Sequence, residues 1–110
     1  MNKTDIKSKL QKLGFEKFYD SESKKTTYNK NLVNVIFQTG NDKTFTVICK
    51  NDTLFMPNKR TTTFKYKDVD MVSVDNKAYP QSLLINVKSK PAKDNDFSMS
   101  SLYAFKMFNN

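Results

Sequence analysis

The sequence predicts an α+β domain: an N-terminal helix packed on an antiparallel sheet of five or six strands. An apolar stripe at helical spacing opens the chain, β-branched and aromatic runs take over from Tyr28 onward, and short polar segments with turn chemistry separate those runs. At 110 residues the chain is one domain, 1–110, because a second hydrophobic core would not fit. Leu, Ile, Val and Phe make up about a quarter of it, above the roughly one-fifth below which a highly charged chain stays disordered.

Residues 5–13 read as a helix: Thr4 or Asp5 supplies the cap, Ile6, Leu10 and Leu13 form one stripe, and Gly14 follows where a left-handed residue is wanted. So short a helix needs a surface to lie on, and Phe15 and Phe18 are expected to continue its contact with the sheet. Residues 20–25 read as a loop. The runs 32–37 and 44–49 are strands joined by the turn 40–42. Asn51-Asp52 reads as a turn into a strand at 53–56, and Pro57-Asn58 as another into a strand at 61–67. In that last strand Thr62, Phe64 and Tyr66 share one face, while Thr61, Thr63, Lys65 and Lys67 share the other, because side chains alternate. The segment 68–75 fits either a strand or a short helical turn. Residues 76–80 form a loop, and 82–87 a well-buried strand, given that Leu83, Leu84 and Ile85 run without alternation. Residues 88–96 are linker-like. In the tail, Phe97, Met99, Tyr103, Phe105 and Met107 alternate with polar residues as a strand does.

The composition excludes several chemistries. Without histidine there is no catalytic triad, histidine base or histidine metal site. The single cysteine, Cys49, precludes an intramolecular disulfide and is expected to be a buried, inert thiol. Neither glycine lies in a phosphate-cradling loop pattern. Asp68, Asp70 and Asp75 hold the densest carboxylates, and Asp-x-Asp can take magnesium where a third ligand converges. Solvated acidic positions are the simpler reading, so we expect no metal, no cofactor and no enzymatic activity. The amino terminus lacks an apolar leader block and no apolar run approaches the ~18 residues of a membrane span, so a soluble cytoplasmic protein without a membrane partner is expected.

Charge is what remains. The net charge is +8 with a pI near 9.6, and lysine supplies all the positive side chains except Arg60. Lysine and asparagine are also what AT-rich codons supply, and lysines keep an aromatic-rich domain soluble. The charge is nonetheless uneven: residues 68–87 are net negative, whereas the flanking segments are net positive. The sharpest basic focus is Lys59, Arg60, Lys65 and Lys67, with Lys88, Lys90 and Lys93 available from the linker. Phe64 and Tyr66 interleave with these lysines as in a stacking platform, although alternation assigns them to the core. A single arginine disfavours bidentate reading of guanine. The expected function is therefore a non-enzymatic binding protein that engages nucleic acid or a nucleoprotein complex through a lysine-rich surface, without reading sequence. The alternative is a small phage- or plasmid-type interaction module that inhibits or adapts a host protein complex.

Overall fold

The first helix, α1 (Lys3–Lys12), starts earlier than the stripe suggests because Asn2 caps it, its side chain accepting from the Asp5 N–H at 2.8 Å. Asp5 in the first turn and Lys9 and Lys12 in the last complement the helix dipole. Gly14, at φ +92°, ends it in the left-handed region, and Lys30 Nζ donates to the Leu13 carbonyl at 2.8 Å. Ile6 and Leu10 are buried.

The computed structural model describes residues 1–52, 57–75, 77, 81–88 and 100–107, with 51, 52, 57–59, 100 and 101 described by backbone alone. After α1 come β1 (Glu16–Asp20), β2 (Lys25–Lys30), β3 (Val33–Gln38), β4 (Thr44–Asp52) and β5 (Pro57–Lys65), an antiparallel meander in one five-stranded sheet. A 3₁₀ turn at Tyr66–Asp68 leads to β6 (Val69–Asp75), β7 (Ser82–Lys88) and β8 (Ser100–Lys106), which form a three-stranded sheet. The α+β class therefore stands, with one helix against antiparallel strands that divide between two sheets.

Several local expectations change. Phe15 joins the core but Phe18 does not: β1 is an edge strand, and its alternation sends Phe18 to the outer face, 65% exposed. The expected loop at 20–25 is shorter, since Asp20 and Lys25 are already paired strand ends. The turn residues at 51–52 and 57–58 instead pair with one another, Asn51 with Asn58 and Asp52 with Pro57. Proline is tolerated there because it opens an edge strand and withdraws no N–H from a neighbour. The strand expected at 53–56 lies outside the described residues. The ambiguous segment 68–75 combines both readings, the end of the 3₁₀ turn and then β6. In β7, Leu83 and Ile85 are buried while Leu84 turns outward, so the strand alternates after all, one face of its sheet being open. Phe105 and Met107 point inward as the tail's alternation predicts, whereas Phe97 and Met99 lie outside the described residues.

The inner faces of both sheets and the helix stripe share one hydrophobic cluster. An aromatic chain runs through it: Phe37 stacks on Phe45 and Phe45 on Phe64, each at 5.5 Å, and Phe64 meets Phe105 edge-on at 6.0 Å. Such pairs add about 0.5 to 1.5 kcal/mol each beyond burial alone. The sheets are also joined by polar contacts: Met107 receives a bond from the Leu32 N–H at 3.0 Å, and Cys49 Sγ donates to the Lys106 carbonyl at 3.2 Å. The Cys49 thiol is buried, as expected, and burial pushes its pKa up. No helix among the described residues is long and apolar enough to cross a membrane.

Candidate nucleic-acid interface

The basic focus read from sequence is split by the strand that carries it. Arg60 pairs with Cys49 near the start of β5, and its alternation matches buried Phe64 rather than exposed Lys65. Its guanidinium lies 4.4 Å from the centre of the Phe105 ring and donates to the Ala104 carbonyl, so it seals the junction of the two sheets. Lys65 stands five residues further on, roughly 17 Å along an extended strand, and on the other face. Lys59 pairs with Lys50 by backbone, its side chain lying beyond the described atoms. Lys88 ends β7 with its Nζ 3.4 Å from Asp70. Lys90 and Lys93 lie outside the described residues.

Lys65 and Lys67 do line one cleft, together with Lys43, which lies outside the basic focus that the sequence predicts. The register sets Thr44 opposite Lys65, and the Tyr66 N–H donates to the Lys43 carbonyl at 3.0 Å. Asn41 shapes the turn before β4: its Oδ1 accepts from the Lys43 and Thr44 N–H groups at 3.0 and 3.2 Å, and its Nδ2 donates to Thr44 Oγ1 at 2.8 Å. Lys3 Nζ braces the same turn through the Gln38 and Asn41 carbonyls at 3.3 and 3.5 Å. The result is a cleft of about 410 Å³ lined by Asp42, Lys43, Thr44, Lys65, Tyr66 and Lys67. Three lysines and one aspartate are among the residues that line it. Nothing in the sequence alone pairs Lys43 with Lys65; that takes the β4–β5 register.

The aromatics between these lysines are not a stacking platform. Phe64 and Tyr66 are both buried, and Tyr66 stacks on Phe45 at 5.3 Å. The Tyr66 hydroxyl is buried with no hydrogen-bond partner among the described residues; desolvation, with the Asp42 charge second, pushes its pKa up to about 12.

A second cleft, about 440 Å³, adjoins the first at Thr44 and is lined by Lys25, Ile36, Gln38, Asn41, Thr44, Phe45, Thr46 and Ile48. Elsewhere, Lys7 sits 5.3 Å from the centre of the Phe37 ring, where burial, followed by the charges of Lys3 and Lys17, lowers its pKa. The acidic segment offers no converging ligand set: among the described residues no three His, Cys, Asp or Glu side chains gather, and Asp70 is engaged by Lys88. Comparison with family models, curated proteins and solved structures finds no match to this chain.

Proposed function

We propose that the protein is a non-enzymatic binding protein that engages nucleic acid, or a nucleoprotein complex, through a lysine-rich surface without reading sequence. The observation that carries this is that Lys43, Lys65 and Lys67 line one cleft, from the turn before β4, the end of β5 and the 3₁₀ turn. Lysines grip phosphate as point charges, and contacts of that kind hold a backbone without distinguishing bases. The one arginine is occupied at Phe105 and Ala104, which supports binding without base reading.

The test is the salt dependence of binding to unrelated oligonucleotides. Log affinity should fall linearly with log salt, with a slope near −0.9 per duplex phosphate neutralised or about −0.7 on a single strand. Lys43→Gln, Lys65→Gln and Lys67→Gln should flatten that slope equally on every sequence. The exposed helix lysines provide the control, Lys9→Gln and Lys12→Gln. Absence of binding at low salt, or equal behaviour of cleft and helix variants, would remove this reading.

A second reading, a small phage- or plasmid-type module that inhibits or adapts a host protein complex, is favoured by the other sheet. Met71 and Leu102 are 53% and 64% exposed there, with Leu84 and Ala104 on the same outer face. Under that reading the native protein copurifies with one stoichiometric protein, which Leu102→Ser releases and Lys65→Gln does not.

A further inference from the structure

The outer face of the five-stranded sheet carries more than the cleft. Direct pairing aligns Phe18, Thr27, Ile36, Thr46 and Thr63 in one row across all five strands. Phe18 is 65% exposed at one end of it, and Thr46 and Thr63 lie hydroxyl to hydroxyl at 3.3 Å at the other. The row carries no charge. Beside it, toward the turn end of the sheet, stand Asp20, Lys25 and Gln38, then Thr44 and Lys65. Lys25 is the diagonal neighbour of both Phe18 and Ile36, a separation of about 7 to 8 Å. Asp20 is the one carboxylate in these two rows, and its own turn holds it, through the Ser23 hydroxyl at 2.8 Å and the Glu22 N–H at 3.0 Å. The two clefts meet at Thr44 and so join Lys25 to Lys43, Lys65 and Lys67.

Resting on the nucleic-acid reading above, we infer that the ligand is single-stranded nucleic acid laid across the strands of this face. Its phosphates follow Lys25, Lys43, Lys65 and Lys67 along the turn end, and its bases turn onto the uncharged row, with Phe18 as the stacking ring. Charge and shape both favour a single strand over a duplex. From β2 to β5 the cations span three strand spacings, roughly 14 Å, with an apolar and hydroxyl-bearing surface directly alongside. A duplex offers such a face only its phosphates and leaves Phe18, Ile36 and Ile48 against charge. A single strand can present both of its sides at once, a cationic track for the backbone and a ring for a base, which is how sequence-tolerant single-strand binders work.

Binding of fluorescent oligo(dT), oligo(U) and a blunt duplex, each measured from low to physiological salt, tests this. The single strands should bind at least tenfold more tightly than the duplex. Phe18→Ala should weaken them on the order of tenfold while leaving the salt slope and duplex binding unchanged, because stacking releases no counterions. Lys25→Gln should instead flatten the slope. Phe18 is exposed, so its replacement empties no core site, and unchanged thermal unfolding verifies that. Equal affinity for duplex, or a Phe18→Ala variant that binds like the parent while Lys65→Gln does not, would overturn the single-strand inference and leave the lysine-rich surface standing. Failure of every oligonucleotide to bind at low salt would overturn both.

Discussion

The outer faces of the two sheets obey the same alternation and carry opposite chemistry. On the five-stranded sheet the outward positions are threonine, asparagine and lysine around a few apolar side chains; on the three-stranded sheet Met71, Leu84, Leu102 and Ala104 gather, and Asp70 neutralises Lys88. Burial does not select these outward residues, since the inner faces already supply the core. The net charge of the chain is therefore not spread evenly over its surface: lysines cluster at the turn end of the five-stranded sheet, beside exposed Phe18, while the exposed face of the three-stranded sheet is mainly apolar at Met71 and Leu102. The two faces meet in the shared core, in the 3₁₀ turn that joins the sheets, and at the Lys88–Asp70 pair.

The largest expected effect falls on both faces together. Ile6 and Leu10 seat the helix in the same cluster that lines both sheets. Leu10→Ala should cost on the order of 2 to 5 kcal/mol, the usual range for emptying a buried leucine site, and should do so in a single transition. Chemical denaturation followed by tyrosine fluorescence and far-ultraviolet circular dichroism checks this. Two separate transitions would mean that the faces belong to independently stable units.

The hinge gives the next effect. Tyr66 opens the 3₁₀ turn that carries the chain from β5 to β6, and its hydroxyl is buried with no partner among the described residues. With the folded pKa near 12 and an unfolded value near 10, the folded state resists ionisation. Stability should therefore be complete below about pH 10 and decline as pH rises toward 12, by about 1 to 2 kcal/mol after allowance for solvent screening. Tyr66→Phe should reduce that decline, leaving the smaller part that the raised Tyr28 and Cys49 contribute, and cost little at neutral pH, because the hydroxyl it deletes has no partner among the described residues. Denaturation midpoints from pH 8 to 11.5 for the two proteins decide it; parallel curves would exclude Tyr66 as the source.

Much of this architecture is legible in the sequence, and the illegible parts share a cause. Ile6 and Leu10, the β3 and β4 runs, and the outward Lys65 all follow from periodicity, which reports how a residue faces relative to its neighbours in the chain; the strand expected at 61–67 ends at Lys65, and Lys67 is exposed from the 3₁₀ turn instead. Strand β1 escapes because Glu16–Asp20 is exposed throughout and shows no alternation in burial. The residues at 51–52 and 57–58 have turn chemistry, yet they extend β4 and β5, because pairing across the ladder outweighs local preference there. Periodicity is also silent on which strands pair, so neither the division into two sheets nor the approach of Lys43 to Lys65 could be read in advance. Arg60 was legible in principle: it lies an even number of residues from Phe64, and strict alternation removes it from the lysine face.

The smallest expected effect concerns Lys88, which sequence groups with the basic cluster and the structure sets against Asp70 at 3.4 Å. Their side chains are 66% and 38% exposed, so the pair is a surface ion pair worth about 0 to 1 kcal/mol, and Lys88→Gln should change stability by no more than that. Its consequence for nucleic-acid binding is equally limited, because a cation already matched by a carboxylate displaces few counterions from a phosphate chain. Lys88→Gln should therefore leave the salt slope within about 0.2 of the parent, whereas Lys65→Gln should reduce it by about 0.7 on a single strand. Asp70→Asn supplies the complementary measurement: it frees the Lys88 charge, and the slope should steepen if that charge then reaches the phosphate track. Should Lys88→Gln flatten the slope as much as Lys65→Gln does, the cationic surface would extend onto the three-stranded sheet, and the contrast between the two outer faces would fail.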